Sequence, residues 1–540
     1  AASDVYKRQH QGGHLTCDSA YFYQGTNSVK AFGHVHYRQG DTLSLTCERA
    51  EYDGMMQMMH ARRNVVLHHR RQTLKTDSLD FDRLYNMANF FDGGTLIDGK
   101  DRLVSDWGEY HTETREAKFV FNVKLRSGKD VVTTDTLYYD VPTSTAHMVG
   151  PSKIVSGSSV VHTADGYYDT KTDKAKLFGR STLVDKDKSI TGDSLYYVKN
   201  GESTGYGNVV YVDKKNKNSL TCNYLRYNEK TGMGFATKRP VAIDYSQKDT
   251  LWMHSDTMRI YTFNINTDSV YRKVHAYPHV RAFRNDMQAI CDSLVFNSKD
   301  SCMTMYKDPV IWNANRQMLG EEIRAYMADS TIRFAHVIGQ ALSIEQMPDS
   351  VHYNQITSSE MKSYFEKGEM KMTEAIGNVQ TVYYMTNDKD SSLVGLNYLE
   401  TDTMRMYLGA ARKLDKIWTN KFTSTMYPIT QVPPAKYKLP NFAWFEDLRP
   451  TDKNDIFVWR GKSSGTELKS IKRHEAPLQS LKKESLKENK EKAEAETASG
   501  KTAKEASKSA SKTAPKKAVR AVSRKTSKVA PKVSKKNKRK

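Results

Sequence analysis

The chain has 540 residues, 38% hydrophobic and 27% charged, with a formal net charge of +21. No run approaches the eighteen or so apolar residues that a membrane-spanning helix requires, which excludes an integral helical membrane protein. The 31 Tyr, 18 Phe and 22 Met suffice for a core, but a thin one rather than a thick globule.

The basicity belongs to one end. Residues 461–540 hold 25 Lys and Arg against 8 Glu and no Asp, whereas the preceding 460 residues hold 58 basic and 54 acidic side chains. Any nucleic-acid reading of the net charge is therefore a reading of the tail alone.

Taken in chain order, residues 1–9 lack a charged stretch followed by an apolar one. The string Ser3-Asp4-Val5-Tyr6-Lys7-Arg8-Gln9 reads as a translated sequencing-adaptor remnant. We set 1–9 apart as a non-native leader and expect the true N-terminus, with any signal peptide, to lie upstream.

An internal repeat then runs to about residue 410. Its core is apolar, any, small, acidic or Asn, any, apolar, any, aromatic. Leu45 to Tyr52, Leu74 to Phe81, Leu103 to Tyr110, Val132 to Tyr139, Val161 to Tyr168, Ile190 to Tyr197 and Leu220 to Tyr227 all fit it. The closing aromatics, from Phe22 to Tyr227, are spaced 29 or 30 residues apart. The copies are regular over 10–250 and looser over 251–410, as at Ser255-Asp256-Thr257-Met258 and Thr401-Asp402-Thr403-Met404.

Each copy has a second half: a turn, a small residue such as Ala88, Ala117, Ala146 or Ala175, then Gly or Pro before an aliphatic, as in Gly33-His34-Val35 and Gly207-Asn208-Val209. Alternation and β-branched or aromatic residues predict two or three short strands per repeat and no helix. Leu74 and Thr76 share one strand face, whereas Asp77, Leu79 and Phe81 share the other. A bulge near Thr76-Asp77 would bring both apolar sets inward and turn the chain around a corner. Repeated, such corners build an all-β elongated β-jelly roll or β-solenoid, stabilised mainly by neighbouring repeats.

The unit ending in Gly207-Asn208-Val209 and continuing through Leu220-Thr221-Cys222-Asn223-Tyr224-Leu225-Arg226-Tyr227 to Gly234 resembles the OstA/LptA-like repeat of lipopolysaccharide transport. The resemblance covers roughly Leu15 to Gly409, and the length and Tyr-rich repeats look most like the long OstA-like proteins of Bacteroidota. It implies an open-ended β-jelly roll that carries acyl chains of lipopolysaccharide across the periplasm. The implied partners are lipopolysaccharide or a similar lipid, and other transport proteins or further copies of itself joined end to end. Outer-membrane members of that family continue into a large barrel, for which the fifty or so residues after the last repeat are too few.

Candidate chemistry is sparse. Cys17, Cys47, Cys222 and Cys291 occupy one motif position where other copies have Thr, Ser or Gly. A small, half-buried side chain is the plainer reading, and pairing of Cys17 with Cys47 in an oxidising compartment the other. The recurring acid (Asp77, Asp106, Asp135, Asp193, Asp256, Asp292, Asp402) reads as a cap for the backbone of each bend, since an active site needs one constellation rather than many. The histidines lack ligand spacing, and no phosphate loop or nucleophile elbow follows a strand, so we expect no enzyme, metal site or cofactor.

The aromatic ladder carries the functional question. Tyr52, Phe81, Tyr110, Tyr139, Tyr168, Tyr197 and Tyr227, with Leu79, Leu137, Leu195 and Leu225, should stack along the interior. They fill a core of their own, or they line an acyl-chain groove with each phenol tip towards water or head groups. The family resemblance favours the groove.

Residues 411–460, with Pro428, Pro433-Pro434, Pro440 and Pro450 among Trp418, Phe442, Trp444, Phe445 and Trp459, read as a cap packing over the last rung. Residues 461–540 read as a disordered Lys-rich tail, either a solvated appendage or a binder of anionic surfaces without nucleic-acid specificity. The expectation is a non-enzymatic periplasmic lipid conduit serving outer-membrane assembly. The alternatives are a ligand-free structural or adhesive β-scaffold, and polyanion binding through the tail.

Overall fold

The computed structural model describes residues 6–10, 12–265, 267–328, 331–367, 369–387, 392–409, 414–461 and Lys487. Apart from Gly461 and Lys487 the basic tail, and with it most of the leader, lies outside the described residues. The body, within the unit spanning residues 1–486, is all-β.

Most repeats fold as two long strands. Ser28–Gln39, Leu43–Asp53, Met58–His69 and Gln72–Asp82 pair antiparallel in succession. The same order resumes from Glu116–Ser127 through Asn218–Asn228. The expected corner does not end the strand; it folds it. At each corner the register shifts: Arg62 faces Ser78 and Val65 faces Thr76, leaving two residues on one strand opposite Asp77 on the other. The extra residue therefore sits on the partner of the strand that carries the motif acid.

The two corner residues take left-handed backbone angles: φ is 66° and 43° at Gly207 and Asn208, and 79° and 50° at Gly377 and Asn378. That explains the Gly-Asn-Val string. Gly and Asn tolerate this conformation better than other residues, and the next residue, Val209 or Val379, turns fully inward. A Cβ on Gly207 would also collide with the Asp193 carboxylate. Of the motif acids, Asp77 caps the corner backbone, accepting from the Asn64 amide at 3.3 Å, whereas others meet corner side chains: Asn208 Nδ2 donates to Asp193 Oδ2 at 2.9 Å and Asn122 Nδ2 to Asp106 Oδ2 at 2.6 Å. In the looser copies the strands break there outright, as Met233–Thr237 and Val241–Asp244 do around Pro240, which has no amide for the ladder.

The result is one continuous antiparallel sheet folded lengthwise into two facing halves, with apolar side chains between them. A cluster from Cys17 to Leu195 and another from Val209 to Met361 meet at Ile190, which packs against both. The sheet is a bent meander rather than a coil of parallel rungs.

The Pro- and aromatic-rich segment departs from the cap expected over the last rung. Leu414–Thr419 and Phe422–Pro428 extend the sheet. The chain then reverses and runs back over the outer face of one half-sheet, burying Val432, Leu439, Phe445 and Leu448 against Leu342, Ile344, Trp312 and Val382. Buried glutamines hold its backbone. Gln355 donates to the Tyr437 carbonyl and accepts from the Leu439 amide, both at 2.8 Å. Gln317 donates to Ala443 at 2.7 Å and accepts from Phe445 at 2.8 Å. A strap is required because the outward residues of these strands are themselves apolar and would otherwise meet water.

Candidate functional site

The interior between the half-sheets is built from one inward residue at every second strand position. Leu79, Phe81, Tyr110, Leu137 and Tyr139 are at most 2% exposed, Tyr168 and Leu195 5%, and Leu225 9%. Tyr52, Tyr197 and Tyr227 are half-buried. The structure thus places all eleven ladder residues on the inner face.

The rings do not stack on one another as expected. Tyr139 lies opposite Ala117 on one neighbouring strand and Ala146 on the other; Tyr168 lies between Ala146 and Ala175. This accounts for the recurring alanine, because a ring on every strand would overfill the space between the half-sheets. Successive rings are two strand spacings, or about 10 Å, apart.

Their hydroxyls do something that the motif did not announce. The hairpins of the two long edges meet along a buried polar seam. Tyr139 donates to Asp101 Oδ2 at 3.0 Å, Tyr168 to Asp130 Oδ2 at 2.7 Å, and Thr170 to Asp101 at 2.7 Å. His69 and the Tyr110 hydroxyl lie 2.9 Å apart, and Lys100 reaches the Thr170 carbonyl at 3.0 Å. Asp98 adds an ion pair to Arg71 at 2.8 Å and accepts from Gln72 at 3.0 Å. Burial pushes the Tyr110 phenol up to about 12. Burial, and then the adjoining carboxylates, push Tyr139 and Tyr168 higher still, so these phenols remain donors. The Tyr139 and Tyr168 tips therefore point at acids of the opposite edge rather than at water. Sequence reading missed the partners because Asp101 and Asp130 look like ordinary hairpin acids.

The seal is not continuous. Leu67, Leu96, Leu103, Leu125 and Val132, near the hairpins of one edge, are at most 1% exposed. Leu183, Ile190, Tyr211, Leu220 and Leu251 hold the corresponding places further along and are only half-buried.

The outer face carries a second array. Tyr138, His147, Tyr167, Phe178, Tyr196, Tyr206, Tyr224 and Phe235 form an unbroken chain of ring contacts, from 4.2 Å between His147 and Tyr167 to 6.4 Å between Tyr167 and Phe178. The doubled Tyr138-Tyr139, Tyr167-Tyr168 and Tyr196-Tyr197 were its sequence signal.

The five cysteines are buried free thiols, and burial raises Cys47 and Cys222 to about 11. Among the described residues no three His, Cys, Asp or Glu side chains cluster as metal ligands, and no helix is long and apolar enough to cross a membrane.

A lengthwise-folded antiparallel sheet around an apolar interior defines the class: an elongated β-jelly roll. The sequence model of the family described as OstA-like protein matches residues 3–135 and 122–193, so the N-terminal region of the chain is similar to the OstA-like family. That family is associated with lipopolysaccharide and lipid transport, and is a transport or binding family rather than an enzymatic one. No curated protein matches the chain in a sequence search.

Proposed function

We propose that this protein is a non-enzymatic periplasmic conduit, holding the acyl chains of lipopolysaccharide or a similar lipid between its half-sheets on the way to the outer membrane. The observation that carries this reading is the apolar interior, which passes from one cluster to the next through Ile190 without a polar break. Transfer of acyl chains into such a space is favoured by roughly 0.8 kcal/mol for each methylene removed from water. End-to-end joining, to itself or to other transport proteins, is supported by the terminal strands Leu414–Thr419 and Phe422–Pro428. Each has a single pairing partner among the described residues, and they expose Ile417, Trp418, Phe422 and Met426. An unpaired edge is a ready template for another strand.

A second reading has its own support. Between Leu67 and Val132 the interior is sealed by its own side chains, as a ligand-free scaffold would be. Native mass spectrometry with lipid extraction on the full chain, purified from a lipopolysaccharide-making host, separates the two. Retained lipid A-containing species, lost in Ile190→Asp or Leu220→Asp with the β-sheet signal intact, support the conduit. A folded protein that stays empty after incubation with lipopolysaccharide leaves the scaffold.

A further inference from the structure

The seam follows a register. Tyr139 meets Asp101 and Tyr168 meets Asp130, each 38 residues earlier. The same step backward from Tyr110 reaches Gln72, and from Tyr197 it reaches Ser159. The first residue of successive strands on that edge runs Asp101, Asp130, Ser159, Lys188 and Asn218. After Asp130 the first position of these strands therefore carries no acid. Among the described residues no hydrogen bond joins Tyr197, Tyr211 or Tyr227 to the opposite edge. Asp213, at the end of the next strand, turns back into its own hairpin, accepting from the Asn216 amide at 3.0 Å and its side chain at 2.8 Å. The interior becomes half-buried over this same stretch, at Leu183, Ile190, Tyr211 and Leu220.

The rim of this stretch is cationic where the seam was acidic. One edge presents the hairpins Lys186-Asp187-Lys188 and Lys214-Lys215-Asn216-Lys217, all exposed. The other presents Lys199, Lys230 and Arg272, and the Arg272 charge acts on Asp213 from across the mouth. Of the nearby acids, Asp185 accepts from Ser158 at 2.6 Å and Glu229 from the Asn200 amide at 2.8 Å, while Asp173 pairs with Lys199 at 2.9 Å and offsets that one cation. An apolar slot with lysines on its lip complements one kind of molecule, an amphiphile with acyl chains and phosphate on its head group.

We infer that the break in the tyrosine–aspartate seam, between Leu183 and Leu220, is a side port through which an acylated, phosphate-bearing amphiphile places its chains in the bore while its phosphates rest on the Lys214–Lys217 hairpin. This rests on the conduit reading of the interior. It adds that loading is lateral and that the head group is recognised by charge.

The test follows loading of the full chain by hydrogen exchange, using phosphatidylcholine vesicles with or without bisphosphorylated lipid A. Lipid A slows exchange over residues 181–191 and 209–222 before it affects residues 61–154. Lys214→Glu/Lys215→Glu/Lys217→Glu slows loading by about tenfold or more, as expected for three charges at an anionic head group. Dephosphorylated lipid A loads the variant and the parent protein equally. Ser159→Asp, which places an acid opposite Tyr197, extends the seam and slows loading without lowering the melting temperature. Wild-type loading rates in both variants overturn the port while leaving the bore as the lipid site. Absence of protection anywhere in the interior of the parent protein overturns the conduit reading and the port with it.

Discussion

The Tyr139 hydroxyl donates to Asp101 Oδ2 at 3.0 Å, joining opposite long edges of one folded sheet through side chains 38 residues apart. Asp101 also accepts from Thr170, so a single buried carboxylate ties two strands and a hairpin turn. Its Oδ1 has no hydrogen-bond partner among the described residues, so removing the Tyr139 donor leaves the buried carboxylate with Thr170 alone. Tyr139→Phe should destabilise the protein by about 1–3 kcal/mol in urea unfolding. Tyr197→Phe, whose hydroxyl has no such acid, should stay within about 0.5 kcal/mol of the parent. Equal effects would refute the seam.

The same phenols set an alkaline limit. Tyr110 is pushed up to about 12 by burial, whereas an unfolded tyrosine ionises near 10. Between those values the unfolded chain releases a proton that the folded chain keeps, so stability falls as pH rises. Loss of the β-sheet signal should therefore set in above pH 10, accompanied by a further step in tyrosinate absorbance as the buried phenols are released. A seam tyrosine titrating near 10 in the folded protein would contradict this.

On the acid side His275 is the group to follow. Burial, followed by the Arg259 charge, pushes it down to about 4, and its Nε2 lies 2.7 Å from Ser293 Oγ. From the ordinary 6.5 down to about 4 the unfolded state takes up a proton that the folded state refuses. Stability should then fall on acidification through this window and level off below it. His275→Gln should flatten the slope of unfolding free energy against pH there, and an unchanged slope would assign it to other groups.

Gln317 and Gln355 each hold the strap by two backbone hydrogen bonds. Gln317→Ala or Gln355→Ala should cost about 1–3 kcal/mol, and should raise hydrogen exchange over residues 437–448 more than in the sheet interior. Uniform exchange throughout would show that the strap does not open separately.

The corner predicts a substitution pattern. Asn208 has φ of 43°, so Asn208→Gly should be tolerated, whereas Asn208→Val should cost about 1–2 kcal/mol or more. Thermal melts of the two variants decide it; equal melting points would mean that the corner is not held in the left-handed conformation.

The opposed parity of Leu74 and Leu79 announced a bend, and the step from Phe81 to Tyr110 to Tyr139 announced a repeat, because both are properties of neighbours along one strand. The alanine between rings was visible but unexplained, since its cause lies one strand away. The outcome for residues 411–460 shows the limit more sharply. Their prolines and aromatics marked a change of structure, yet the surface they cover is built by Ile290, Trp312, Leu342 and Val382, far earlier in the chain.

By itself the sequence determined the all-β class, the 29-residue period, the corner and the inward face, because alternation, turn chemistry and the left-handed preference of Gly and Asn act over a few residues. Only the tertiary structure decided which acid each tyrosine meets, where the seam stops, and where the strap lies. Those depend on how far one hairpin edge is carried past the other when the sheet folds over. That offset follows from the packing of the two half-sheets along their whole length, and no local stretch of chain encodes it.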